Sequence, residues 1–251
     1  MSPPSRPPGP EPREDADLAS SSDAYAARFS GTVGRWFLEL QANITLNALT
    51  GLPAGATVLD VGGGHAQLVP PLVARGYRVT VVGSDRACGR NLGPWVAAGQ
   101  CRFDVADLQR LPYAPAAFSA VLCFRLLAHS VAWTRLVGEL CRVAADRVVA
   151  DYPSRRSINV IADRMFAMKR SVEGALTRPY AVYDPEDIAQ AFTRSGFRVV
   201  QQVPQFFMPM MLYRMMRSDR LGRVIEWPAR RFGVTRLLGS PIIVRADRRH
   251  A

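Results

Sequence analysis

The chain has 251 residues, 48% of them hydrophobic, and a formal net charge of +11. That length builds one sizeable core but is short for two, so a single domain is expected. No stretch approaches the apolar length of a membrane span, and the start lacks the basic-then-apolar pattern of an export signal, so a cytoplasmic, soluble or membrane-peripheral protein is expected.

In chain order, residues 1–22 are rich in Pro, Ser and acids with almost nothing apolar, and read as a disordered tail ahead of one domain over 23–251. Tyr25 to Phe29, followed by Trp36, Phe37 and Leu40, reads as a helix whose aromatic residues serve either the core or a ligand. Thr57 to Val61 is a β-branched run ending in Gly62-Gly63-Gly64-His65-Ala66, and a helix is expected from Ala66 to Ala74. Further strands are expected near 77–82, 100–104, 118–124 and 146–151, alternating with helices, which predicts a doubly wound parallel α/β sheet. Tyr183-Asp184-Pro185-Glu186-Asp187 starts a helix ending at Gly196, and 197–203 and 241–246 supply two last strands. Between these elements lie two insertions, 153–182 and 204–240, longer than compact connections need.

The strand, glycine turn and helix make a nucleotide cradle, because glycine lets the backbone approach a ligand and helix N–H groups receive negative charge. A dinucleotide turn, G-x-G-x-x-G, needs glycine at position 67, where this chain has Gln67. Asp60, Gly62 and Gly64 instead follow acid-x-G-x-G-x-G, with Ala66 in place of the last glycine. Asp85 follows the second strand at the distance where either cofactor class places an acid on a ribose. Asp107-Leu108-Gln109-Arg110-Leu111-Pro112-Tyr113 and the strand after it complete the pattern.

On these residues the chain resembles class I S-adenosylmethionine-dependent methyltransferases of the small-molecule type that includes the ubiquinone and menaquinone enzymes. The likeness covers 25–151 well and the rest in outline. It implies a Rossmann-like seven-stranded sheet with an antiparallel last strand and helices on both faces. It also implies S-adenosyl-L-methionine as cofactor, with Asp60, Gly62, Gly63 and Gly64 at the methionine end, Asp85 on the ribose, and Asp107 with Leu108 on the adenine edge. Asp104 is the structural rival of Asp107, and Phe124 completes the cofactor-facing set. The family usually has an acid where this chain has Ser119, which is not a ligand position.

Methyl transfer from a sulfonium is an in-line displacement, so positioning supplies much of the catalysis and no triad is required. The acceptor face is expected from Phe124, Arg125, His129, Asp151, Tyr152 and the first insertion, with Arg125, Arg155 and Arg156 as candidates to pair with an anionic acceptor. His129 is the residue there whose ordinary titration range suits a catalytic base, and its alternative is a cap on the following helix. His65 reads as a backbone-shaping residue of the turn. Cys88, Cys101, Cys123 and Cys141 show no C-x-x-C pair and no histidine stands at metal spacing, so free thiols and no metal are expected. The motifs that grip a DNA amine or a protein arginine are missing, which leaves a small-molecule or lipid-like acceptor.

Charge is lopsided. Residues 1–152 carry 14 Arg against 13 acids, and 153–251 carry the remaining 18 basic residues against 8 acids, a net +10. Over 204–240, five of the eight methionines accompany Arg214, Arg217, Arg220 and Arg223, which predicts one amphipathic helix. Core packing, a lid over an apolar substrate, and peripheral contact with an anionic membrane are its three readings. Nucleic acid is not expected, since no stacking aromatic residues interleave with the basic ones and no recognised module is present. The competing functions are a nicotinamide oxidoreductase and a non-catalytic S-adenosylmethionine-binding partner protein.

Overall fold

Seven strands form one sheet in the order β3-β2-β1-β4-β5-β7-β6. They are β1 (Thr57–Val61), β2 (Arg78–Gly83), β3 (Cys101–Val105), β4 (Phe118–Cys123), β5 (Ala144–Tyr152), β6 (Phe197–Phe206) and β7 (Ser240–Arg248). The first five run parallel, and β7 is antiparallel to both β5 and β6, as expected. This computed structural model describes residues 17–18, 21–22, 26–157 and 180–249. Most of the 1–22 segment, Tyr25, and most of the first insertion lie outside those residues.

The helices are α1 (Gly31–Ala48), α2 (Val69–Ala74), α3 (Gly93–Ala97), α4 (Trp133–Val143), α5 (Pro185–Arg194), α6 (Met210–Met216), α7 (Asp219–Arg231) and α8 (Val234–Leu238). They cover both faces of the sheet, because the central strands are apolar on both sides and neither face tolerates water. Leu136, Val137 and Leu140 of α4 with Ile188 and Phe192 of α5 close one core. Ala48 at the end of α1, Leu72 of α2 and Leu92 close the other. Ser119, where the family has an acid, exchanges hydrogen bonds with Thr57, each backbone N–H donating to the other's hydroxyl at 3.2 and 3.0 Å.

Two expectations need correction. The helix after the glycine turn opens at Val69, not Ala66, with proline in its first turn. Ala66 instead takes a left-handed backbone, φ 56°, in place of the family's glycine, a conformation that costs an L-residue about 1 kcal/mol. Residues 204–240 do not form one helix. β6 runs on to Phe206, and α6 and α7 are separated at Arg217, which adopts φ 53°, after which Ser218 caps α7 by accepting the Leu221 N–H.

The short α6 reaches the core through one side chain. Tyr213 is fully buried, with its ring 5.4 Å from Trp36 and 6.0 Å from Phe206. Trp36 and Phe37 of α1 are buried in this third cluster too, so packing is the role of these two aromatic residues. Inside the segment, Glu226 is 2% exposed and its carboxylate accepts from Phe207 N–H, the Tyr213 hydroxyl and the Thr235 hydroxyl, with Arg230 3.6 Å away.

Candidate active site at the carboxyl ends of the parallel strands

In-register pairing aligns the strand ends: Val61 lies beside Val82 and Cys123, Gly83 beside Val105, and Cys123 beside Ala150. Asp60 therefore shares one edge of the sheet with Asp85, Asp107, Arg125 and Asp151, each at or just past the end of its own strand. In open α/β sheets this edge is where ligands bind.

Gly62 has φ 75°, and its N–H donates to the Val82 carbonyl at 2.8 Å, so the turn requires glycine there. A Cβ on Gly64 would stand 2.2 Å from the Cys88 carbonyl oxygen, and one on Gly63 would strike the Asp60 carboxylate. Asp60 is buried, and burial pushes its carboxyl up to about 7, with the Arg125 charge pulling it back down. Asp85 is exposed and accepts the Ala87 N–H at 2.8 Å. Asp107 accepts the Gln109 N–H at 2.9 Å. Asp104 instead takes the Tyr113 hydroxyl at 2.8 Å and Arg102 at 2.7 Å, so of the two rival acids it is the one tied into the sheet's flank. Leu108 and Phe124 bury their side chains in the two cores, so only their backbones are available at the strand ends.

The acceptor side is built on β4 and β5. Arg125 has φ 59°, and its N–H donates to Asp151 at 2.6 Å. Burial pushes the Asp151 carboxyl up to about 6, against the N–H and charge of Arg125. The Arg125 guanidinium lies over the Phe29 ring at 5.0 Å, and Arg214 of α6 approaches the same ring at 5.8 Å. His129 ends a short 3-10 turn, Leu127–His129, and its ring lies 5.6 Å from Tyr180. The N-cap of α4 is Ala132, whose own side chain makes no cap. The chain after Tyr180 is pinned here by Ala181 N–H to the Ala128 carbonyl and by the Tyr183 hydroxyl to the Leu127 carbonyl. Arg155 and Arg156 are not brought to this edge as anion ligands, since they pair with Asp184 and Glu186 at 3.5 and 2.7 Å. Cys123 is buried and its thiol is held well above its ordinary range, first by burial and then by Asp151, which removes it as a nucleophile.

Asp17, inside the segment expected to be a disordered tail, is fully buried and accepts the Ser84 N–H at 2.7 Å. Ser21 Oγ stands 2.6 Å from where a Cβ on Gly64 would be, so this segment lies against the glycine turn. No apolar pattern in the sequence signals that placement. Ser84, beside Asp85, has a buried Oγ that makes no hydrogen bond among the described residues. An open recess of about 570 Å³, lined by Arg86, Ala87, Gly89, Arg90, Phe103 and Val105, adjoins Asp85 between the ends of β2 and β3. Three carboxylates along one edge, an unsatisfied hydroxyl and this recess fit a nucleoside whose hydroxyl and amino groups are donors and whose far end is cationic. Among the described residues no cluster of His, Cys, Asp or Glu suits a metal ion, and the four cysteines are free and buried.

A family model described as a methyltransferase domain matches residues 34–202. Among solved structures, magnesium protoporphyrin IX methyltransferase from Synechocystis, with bound S-adenosylhomocysteine, has a TM-score of 0.63 at 13% identity, covering 92% of this chain and 98% of that one. A complex of the Haloferax volcanii Trm112 methyltransferase activator with a putative methyltransferase has a TM-score of 0.63 at 15% identity, covering 94% and 99%. Geranyl diphosphate methyltransferase with its diphosphate and sinefungin has a TM-score of 0.64 at 15% identity, covering 91% and 83%. No curated protein matches by sequence.

Proposed function

We propose, since this chain belongs to the methyltransferase domain family and is a class I S-adenosylmethionine-dependent methyltransferase, that it methylates a small, lipid-like acceptor at the mouth formed by Arg125, His129 and Asp151. The observation that carries this reading is the shared edge: three acids on the cofactor side of β4, and an arginine held by a second buried acid on the other. S-adenosylmethionine, when bound, supplies an electrophilic methyl group on a sulfonium. Asp85 and Asp107 would hold the ribose and adenine ends, and ionised Asp60 the cationic methionine end. Gly62, Gly63 and Gly64 would let the backbone come close.

On the acceptor side, Arg125 would orient a polar or anionic group while Phe29 and Tyr180 exclude water. His129 would accept the acceptor's proton as the methyl group transfers, through an imidazole whose ordinary range spans neutrality. The relatives named above as acting on a porphyrin and on geranyl diphosphate support a small-molecule acceptor with apolar character. No helix among the described residues is long and apolar enough to cross a membrane. Four free, buried cysteines support a cytoplasmic location, and the arginines of 204–240 support peripheral contact with an anionic membrane surface.

The test uses methyl-labelled S-adenosylmethionine with an apolar extract and an aqueous extract of small molecules. Label should enter the organic phase. His129→Ala should slow that transfer by about 100-fold, with cofactor affinity unchanged. An unchanged rate across neutral pH would remove His129 from the chemistry.

A further inference from the structure

The helix α7 is built inside out. Its packed side is formed by Gly222, Glu226 and Ala229, with the inward glutamate satisfied as described above. At about 100° per residue the opposite side carries Arg220, Leu221, Val224, Trp227 and Arg231. Leu221 is 47% exposed, Val224 68% and Trp227 67%. Phe232 just past its end, Met215 of α6 and Leu237 of α8 are more exposed still. A surface helix of a globular protein buries its apolar stripe and turns charge outward. Here large apolar side chains face outward and a carboxylate faces in.

The arginines divide accordingly. Arg223 lies over the Trp36 ring at 5.4 Å and within 3.5 Å of Glu39 and Asp219. Arg230 donates to the Gln205 carbonyl, and Arg214 approaches Phe29. Arg217, Arg220, Arg231 and Arg236 are exposed, and no acid among the described residues lies within ion-pairing distance of them. Residues 210–238 contain seven arginines and two acids, Asp219 and Glu226, both already engaged.

We propose that this face docks on an anionic lipid bilayer, with Leu221, Val224 and Trp227 at the headgroup boundary and Arg217, Arg220, Arg231 and Arg236 on lipid phosphates. The inference deepens the membrane contact proposed above and rests on that reading. Tryptophan flanked by aliphatic residues and arginine is the composition of an interfacial helix. A second copy of the chain fits worse, because a two-fold contact would set the four arginines against their own images. Nucleic acid would match the charge but has no use for exposed leucine, valine and methionine. The same segment delivers Arg214 to Phe29 at the mouth of the active site, so a bilayer on this face would lie beside the route of an apolar acceptor.

The experiment is co-sedimentation of the full chain with phosphatidylcholine vesicles containing or lacking phosphatidylserine. The wild type should bind only the anionic vesicles, and added salt should release it. Val224→Ser with Trp227→Ser should weaken binding at least tenfold, as should Arg220→Gln with Arg231→Gln. Arg223→Gln, whose guanidinium is already engaged by Trp36, Glu39 and Asp219, should bind as the wild type does. Each variant should keep the wild-type thermal shift with S-adenosylhomocysteine, which shows that the fold and cofactor site persist. Wild-type binding by the Val224 and Trp227 variant would overturn the assignment of this face while leaving a membrane contact standing. Failure of the wild type to bind at low salt would overturn both and leave the methyltransferase reading untouched. A lipid-independent dimer abolished by Trp227→Ser would overturn the proposal in favour of self-association.

Discussion

Asp60 and Glu226 are both carboxylates only 2% exposed, yet their surroundings are opposite in kind. Glu226 has three hydrogen-bond donors and an arginine beside it, and it pins Phe207, Tyr213 and Thr235 of the C-terminal insertion together. Asp60, beside the glycine turn, is dominated by burial, with Arg125 as its counter-charge, and its carboxyl is pushed up to about 7. A buried acid surrounded by partners serves the fold, whereas one whose charged form is disfavoured by burial is poised for a cationic ligand. The two regions differ in the same way: one is a scaffold of satisfied contacts, the other an edge built to be completed.

The largest way to break this comparison is Glu226→Ala. It would strand three buried donors and cost about 3 kcal/mol or more in denaturant unfolding, while the folded fraction keeps its affinity for S-adenosylhomocysteine. Unchanged stability would mean that Glu226 is no pin.

Asp60→Asn should act through pH. With a folded pKa of about 7 against an ordinary aspartate value of 3.8, the native state binds the Asp60 proton more readily than the unfolded chain does. This group's contribution therefore makes the wild type lose stability as pH climbs between those values, and the loss levels off above about 7. The asparagine variant should lack that loss, so melting temperatures should show it gaining on the wild type as pH rises. The wild type's affinity for S-adenosylmethionine should rise over the same window, as Asp60 gains its charge. A wild-type stability profile parallel to that of Asp60→Asn would contradict the assignment.

The smallest expected effect is Ala66→Gly, which relieves a left-handed alanine at φ 56° and should raise stability by about 0.5 to 1 kcal/mol in the same unfolding assay, without altering ligand affinity.

The strands themselves, the glycine turn and the acids at the strand ends were legible in the sequence because each is a short-range signal. β-Branched runs alternate with helices, and the acid and glycines of the turn lie within a few residues of one another. What escaped was non-local or depended on one dihedral angle. Pro70 and Pro71 lie in the first turn of the helix that opens at Val69, leaving Ala66 in the turn. The arginine periodicity of 214, 217, 220 and 223 reads as one helix, but Arg217 breaks it by leaving the helical region. Asp17 is buried beside Ser84, 67 residues away, and against the glycine turn, and an acid-rich, apolar-poor stretch carries no pattern that announces it. Glu226 is satisfied by groups from three different elements, which no local spacing encodes.

The central claim is that the edge bearing Asp60, Asp85 and Asp107 holds S-adenosylmethionine. Calorimetric titration of the wild type and Asp85→Ala with S-adenosylhomocysteine, and with NADH and NADPH as rivals, tests it most directly. Asp85 is exposed and caps only the Ala87 N–H, so its loss should leave the fold intact. The account predicts binding of S-adenosylhomocysteine, no binding of either nicotinamide, and a loss of about tenfold to a hundredfold in affinity for Asp85→Ala, the worth of charge-assisted bonds to two hydroxyls. Binding of a nicotinamide in place of S-adenosylhomocysteine, or wild-type affinity in Asp85→Ala, would contradict it.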